Sequence, residues 1–490
     1  MRTSLSLPLA ALAAAAAAAC APPPAPAPAP RPAPEIVAEQ PELGPVRPFV
    51  LPPVEDFRLG NGLRVLAVRQ SAMPVVTARL IVDAGSEHEP AALNGLALLA
   101  AALIPEGTAA VSGPALAERM ERLGAQFQAG AGQNFAYVVV TGLKPVFGEA
   151  LGMAAEAATA PAFPEREFER VRQQAVTAHV QSQATVEGLA GEAFARAVFT
   201  PEAPYSRPAG GTAATLRAIS RDDVVRWHRE MYLPGNATLL LVGDLAPGEA
   251  RRMAEAAFGE WRGGSARPPR PANPARRVTG TRVILVDRPG SVQSAIRIGQ
   301  AAIGAEDPDF LRLQALTHVL GGAFNARINQ NLRERHGWTY GAWAQFNPQR
   351  GAGTVLITSS VQTQATDSAV AESVREYQRI VAEPVPLDEL ASATGNLAGS
   401  FPATVQTVQG LAQRIQNLLV WELPLDFWTG YGPALATLTP DDVGEVAARQ
   451  LTPGSLTIVV AGDLATIEAP VRALGLGPVE VWSADGTRVR

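Results

Sequence analysis

Five histidines and one cysteine bound the metal and nucleophile chemistry open to this 490-residue chain. His88, His179, His228, His318 and His336 stand singly, and no H-x-x-E-H pattern surrounds any of them. A catalytic zinc site takes about three protein ligands, so these histidines leave room for one such centre and no more. A lone imidazole on a helix or loop is far more often a satisfied surface or core group than a ligand. The single cysteine, Cys20, excludes an intrachain disulfide framework and any Cys-rich zinc site. A formal charge of −5 offers no basic surplus to neutralise phosphates, which argues against nucleic acid as a partner. Lys144 is the only lysine, and arginine carries the remaining positive charge; with the heavy alanine content this reads as genome composition.

Cys20 has a context of its own. Arg2 precedes an apolar run, Leu5–Ala19, that is too short to span a bilayer and reads as an export signal over residues 1–19. Ala17-Ala18-Ala19-Cys20 resembles the lipobox of bacterial lipoproteins, with Cys20 as the lipidation point. Ala21 follows, with no aspartate to retain the chain at the inner membrane. The expectation is a lipid anchor on the periplasmic side of the outer membrane. Residues 20–48 are rich in proline and alanine. The densest part, 21–34, favours extended polyproline II and would reach roughly 43 Å as a stalk.

The remainder must fold into the elements that position any site. It is apolar enough for a globular core, with 47% hydrophobic and 18% charged residues in the whole chain. It also repeats. Asp222-Asp223-Val224, Pro234-Gly235, Thr238 and Gly243-Asp244-Leu245-Ala246 recur as Asp441-Asp442-Val443, Pro453-Gly454, Thr457 and Gly462-Asp463-Leu464-Ala465. Every pair is offset by 219. Each copy reads as an acidic N-cap, an amphipathic helix, a Pro-Gly turn and a buried strand, Ala237–Val242 or Leu456–Ala461. Residues 262–277, rich in Gly, Pro and Arg, join the copies as a linker, giving domains 49–261 and 278–490.

Further strands are expected at Leu63–Gln70, Val75–Ala84, Phe135–Thr141, Arg282–Val286, Ala295–Gly299 and Thr354–Ser360. Helices are expected at Gly95–Ile104, Gly113–Ala125, Glu167–Val198, Phe310–Leu320, Phe324–Arg335, Thr366–Ile380 and Val405–Leu419. Strands that follow one another without a crossover helix favour an α+β fold with antiparallel pairing.

Gly60-Asn61-Gly62-Leu63, Ala84-Gly85-Ser86 with Glu89-Pro90, and Gly95-Leu96-Ala97 with Gly107-Thr108 come in order along the first copy. Pro204-Tyr205, Arg207-Pro208 and Gly211-Thr212 follow them. The second copy has Gly321-Gly322-Ala323-Phe324 and Leu332-Arg333-Glu334-Arg335 leading into Gly337 and Tyr340. In this series the chain resembles the insulinase/pitrilysin (M16) family of zinc peptidases in its two-domain form, over nearly everything after residue 55. The resemblance implies two tandem homologous domains of the LuxS/mitochondrial-processing-peptidase-like metallohydrolase type. Each would be a mixed or antiparallel sheet with helices packed on it.

The family's zinc motif is H-x-x-E-H, two ligands one helical turn apart with a general base between them. Here the ligand positions are Leu98 and Ala102, and the base position is Ala101. The zone of the third ligand, Ala175–His179, holds no glutamate. The expectation is therefore no metal and no cofactor in this chain. Glu106 is expected at the surface.

The resemblance also implies what remains. In relatives that act as heterodimers, the subunit without the zinc motif carries an arginine and a tyrosine seven residues apart, matched here by Arg333 and Tyr340. A phenol can donate to a developing oxyanion, and a guanidinium can hold a substrate carbonyl or carboxylate. Gly321, Gly322 and Phe324 are the accompanying substrate-binding candidates. The expected function is the catalytically inactive subunit of a heterodimeric M16 peptidase acting on peptides or unfolded protein. Zinc would sit in an H-x-x-E-H-bearing partner. A lipid-anchored, non-enzymatic scaffold or peptide-binding protein is the alternative. A metal site built on His88 or His179 is the weakest reading.

Overall fold

The computed structural model describes residues 48–264, 268–276 and 279–490. The leader, Cys20 and the proline-rich stretch lie outside the described residues. The first half forms β1 (Val54–Arg58), β2 (Arg64–Arg69), β3 (Val75–Val82), β4 (Gln126–Ala131), β5 (Ala136–Leu143) and β6 (Ala237–Gly243). The second forms β7 (Arg282–Asp287), β8 (Gln293–Ala302), β9 (Thr339–Pro348), β10 (Gly353–Gln362), β11 (Thr457–Gly462) and β12 (Val479–Trp482).

Each half makes one six-stranded sheet, in the order β1-β2-β6-β3-β5-β4 and β12-β7-β11-β8-β10-β9. The two orders superpose term by term except at one edge. There the N-terminal β1 runs antiparallel to β2, whereas the C-terminal β12 runs parallel to β7. The strand before the Gly-Asp end is third in each sheet and buried along its whole length. Its apolar run is what a strand covered on both faces requires. It pairs in parallel with β2 or β7 and antiparallel with β3 or β8, so both sheets are mixed.

The helices that feed these strands begin differently from the acidic N-cap expected. Ser220 and Thr439 are the N-caps, and Asp223 and Asp442 at N3 bond back to them in reciprocal capping boxes. The acid is the second half of the cap, and both boxes keep the 219 offset.

Seven helices matter below: α1 (Leu96–Ala102), α2 (Glu165–Gln183), α3 (Val186–Val198), α4 (Phe310–Gly321), α5 (Thr366–Ala382), α6 (Leu387–Val405) and α7 (Val408–Trp421). The single helix expected over Glu167–Val198 is two, α2 and α3. Thr185 accepts from the Gly188 N–H and starts a new N-terminus. The helix expected over Val405–Leu419 is α7, which starts later because α6 ends at Val405 and Thr407 caps α7.

The two helices that begin at these threonines exchange partners. α3 lays Leu189, Ala190, Ala193 and Ala197 on β8 and β11 of the second sheet, among Val286, Ala295 and Val459. α7 covers β3 and β6 of the first sheet, with Leu411, Ile415 and Leu418 in the same core as Val68, Leu240 and Val242. Within this contact the buried Arg79 of β3 donates to Gln416 of α7 at 2.7 Å. Each half thus completes the other's core. Ile415→Ala, at a side chain 1% exposed, should lower stability by about 2–5 kcal/mol. Urea unfolding checks this, and both halves should melt in one transition.

Candidate functional site

Helix α1 occupies the place of the zinc motif. Gly95, at φ +101°, opens it, and a Cβ there would meet the Gly210 carbonyl and Leu216 at 2.8 Å. Glu89 caps it: one carboxylate oxygen accepts from Gly95 N at 2.8 Å and Asn94 Nδ2 at 3.0 Å, the other from Ala97 N at 2.5 Å. Burial pushes this carboxyl up to about 7, against the pull of the three donors and the charge of Arg207.

Ala101 is fully buried and Leu98 is half-buried beside Gly210. Across from α1, Thr177 and Ala178 of α2 point to solvent. His179 is turned to Glu192 of α3 at 3.4 Å. No nitrogen, carboxylate or thiolate is supplied at Leu98, Ala101 or Ala102, so these residues do not fit a zinc ion. Glu106 pairs with Arg170 at 2.6 Å near the surface.

The other histidines have structural settings. His228 donates through Nε2 to the Ala158 carbonyl (2.8 Å) and stacks on Tyr232. Burial lowers it to about 4, so it is neutral at pH 7. The unfolded chain then binds the extra proton between about pH 6.5 and 4, and stability is lost as pH falls through that window. The loss should total about 3 kcal/mol. Unfolding free energies across that range should show the slope in the native chain and lack it in His228→Phe. His318 contacts Asn396 Oδ1 at 3.0 Å, and His336 stacks on Trp338.

His88 lies in the loop after β3. Its ring lies with Asp83 and Glu87 in the one group among the described residues with three potential metal-ligating side chains, all ligand atoms within 4.8 Å. Nε2 is 3.5 Å from Asp83 Oδ1 and 3.7 Å from Glu87 Oε1. A guanidinium already holds those two oxygens: Arg350 Nη1 lies 3.2 Å from Asp83 Oδ1 and 3.0 Å from Glu87 Oε1. Arg270 reaches the other Asp83 oxygen at 3.3 Å and Glu422 at 2.6 Å. Asn134 donates to Glu87, and the Tyr205 hydroxyl to the Arg350 carbonyl.

Three carboxylates, Asp83, Glu87 and Glu422, and two arginines make a charged clasp between the halves and the connector. Burial raises the Asp83 carboxyl, but His88, Arg350 and Arg270 outweigh that and hold it well below the usual carboxylate range. Burial wins at Glu87, which lies above it. Asp83, Glu87 and His88 share one loop and were legible as a cluster. Arg350, more than 260 residues away, was not.

Tyr340 is exposed and Arg333 is half-buried. The helix expected over Phe324–Arg335 begins only at Arg327 and passes into a π-helical stretch, Gln330–Arg335. The chain turns back at Gly337, φ +67°, where its N–H bonds the Arg333 carbonyl. β9 then starts with a bulge: Tyr340 and Gly341 together oppose Ser360, between the pairs Thr339↔Val361 and Ala342↔Ser359. The bulge turns Tyr340 out of the sheet, 90% exposed.

Arg333 lies 4.5 Å over the ring of Phe324, itself half in solvent, and 3.2 Å from Glu334. Gly321 serves packing, since a Cβ would meet Ala344 N at 2.1 Å. Gly322 is the C-cap of α4 beneath His318. The buried Asn329 ties the Phe324 carbonyl to the Ala342 N–H and so fixes the loop against the strand. β9 is an edge strand, as is β4.

Comparison with known proteins adds the lineage. The model of the insulinase family (peptidase family M16) matches residues 64–201, and that of the peptidase M16 inactive domain matches residues 218–397. An uncharacterized zinc protease of Rickettsia bellii is 24% identical over 364 residues, 73% of this chain and 85% of the relative. A Helicobacter pylori protein named as the non-peptidase homolog YmxG is 23% identical over 339 residues, 68% of this chain and 76% of the relative. The crystal structure of a peptidase M16 inactive domain from Pseudomonas fluorescens matches with a TM-score of 0.78 at 24% identity. The match covers 84% of this chain and all but 2% of that one (98%). A protease structure from Helicobacter pylori matches with a TM-score of 0.77 at 19% identity, over 84% of this chain and 100% of that one.

Proposed function

The chain belongs to the M16 peptidase family, and on that premise we propose that it is the zinc-free subunit of a heterodimeric M16 peptidase. One observation carries the reading. The motif positions Leu98, Ala101 and Ala102 hold only hydrocarbon, while Arg333 and Tyr340 are presented to solvent by a helix end and a bulge. The family's inactive-domain description and the non-peptidase name of one relative support a chain that does not hydrolyse peptides alone.

An H-x-x-E-H subunit would supply zinc and an activated water. Tyr340 would donate its phenolic hydrogen to the carbonyl oxygen as that oxygen gains charge, and Arg333 would hold a neighbouring carbonyl or carboxylate of the peptide. The half-exposed Phe324 and Trp343 flank this face with apolar surface for a partner or a peptide. Lipidation at Cys20 would tether the pair to the periplasmic face of the outer membrane.

The test is reconstitution. The chain should co-purify with an H-x-x-E-H-bearing M16 subunit of the same organism, and peptide cleavage should need both. Cleavage by the zinc subunit alone at the full rate would sink the proposal. Peptide binding without any cleavage partner would favour the scaffold reading instead.

A further inference from the structure

A cavity of about 410 Å³ opens where the turn after α3, the connector and the C-terminal hairpin meet. Its size falls in the range of small-molecule sites. Three arginines line it, one from each of three segments: Arg196 from α3, Arg207 from the loop after the Pro204–Ser206 turn, and Arg276 from the connector. No aspartate or glutamate is among the described lining residues.

The surrounding acids do not neutralise this charge. Glu192 is 3.8 Å from Arg196, a long contact shared with His179. Glu89 acts on Arg207 from a distance, but its two oxygens are taken by the N-terminus of α1 and Asn94. Glu202, which feels Arg276, and Asp485, which feels Arg196, are both exposed to solvent. The Nε atoms of Arg207 and Arg276 are buried with no hydrogen-bond partner among the described residues. A buried guanidinium N–H without an acceptor is costly, and two occur in the wall of this cavity.

The rest of the wall is apolar where it matters. Pro201, Pro208 and Trp482 face the same space. The tip of the C-terminal hairpin closes against the cluster, with Gly486 so near Arg196 that a Cβ would meet its Cδ at 2.7 Å.

We infer that this cavity binds a small organic anion, a phosphate or polycarboxylate group held by Arg196, Arg207 and Arg276 and an apolar body against Trp482. Guanidinium forks match both oxyanions bidentately. The site shares no residue with the Arg333–Tyr340 face and stands or falls independently of the peptidase reading.

Calorimetric titration of the full chain with citrate and, separately, with glycerol 3-phosphate tests it at low ionic strength. One saturable site is expected for at least one of them, and the preferred anion tells a carboxylate ligand from a phosphate one. Arg207→Gln and Arg276→Gln should each weaken binding by about tenfold or more. Binding should also shift Trp482 emission, and Trp482→Phe should remove the shift. That readout leaves the arginines intact, so it decides the matter even if an arginine variant does not fold. No saturable binding of either anion, or unchanged affinity in the folded Arg207→Gln/Arg276→Gln double variant, overturns the inference.

Discussion

Tyr340→Phe is expected to lower peptide cleavage by the assembled pair about 10²–10³-fold, through kcat, with KM nearly unchanged. The change removes one oxygen from a side chain that is 90% exposed, so it should leave folding and assembly untouched. In the proposed mechanism it deletes an O–H donor whose use arises only as the peptide carbonyl becomes an oxyanion. An interaction made in the transition state alone acts on kcat. Arg333→Ala should behave differently. A guanidinium that holds a ground-state carbonyl or carboxylate contributes to substrate binding as well, so KM should rise along with the fall in kcat/KM. Removing it also frees the face of Phe324, on which it lies. Full cleavage by a pair carrying Tyr340→Phe would remove Tyr340 from the chemistry.

The sequence made some of this visible and hid the rest for physical reasons. The hydrocarbon side chains at the motif positions could be read directly, because the motif is local: Leu98, Ala101 and Ala102 lie on one turn of α1. The duplication was visible because strands buried on both faces must stay apolar, and because Ser220/Asp223 and Thr439/Asp442 repeat one capping device at one spacing. The strands that escaped were β1, β4, β9 and β12. All four lie at sheet edges, where one side is unpaired and polar or small residues are tolerated: β4 reads Gln-Phe-Gln-Ala-Gly-Ala, and β12 has only four residues. Helix α6 was missed because Pro402 lies inside it and reads locally as a break. The exchange of α3 and α7 left no local signal at all. Each of these helices has an ordinary apolar stripe, and nothing in it says which sheet it will cover. The same holds for the charged clasp. A buried acid is written in one loop, and the arginine that makes its burial tolerable stands in the other half of the chain.

That dependence makes Arg350→Ala the most damaging single change we expect outside the cores, at about 3–5 kcal/mol of lost stability at neutral pH. The side chains of Arg350, Asp83 and Glu87 are 13%, 10% and 2% exposed, so water cannot replace the missing guanidinium. Arg270 still reaches Asp83 but not the Glu87 oxygen that Arg350 held. Glu87, already pushed upward by burial, should then take up a proton first. The variant's deficit should therefore be largest near pH 7 and shrink as pH falls toward 5, because protonation removes the uncompensated charge. Asp83 behaves oppositely in the native chain: held below the usual range, it contributes stability at neutral pH that is lost only in strong acid. Adding Glu87→Gln to Arg350→Ala should recover part of the loss, and the size of the recovery measures the coupling of the pair. Urea unfolding of the four chains at pH 7 and pH 5 gives these numbers. At the same clasp Arg350 sits on the oxygens a divalent ion would need. Native chain that carried stoichiometric zinc would show that the guanidinium yields to a metal, and equal stability of Arg350→Ala at both pH values would show that the clasp bears no charge balance at all.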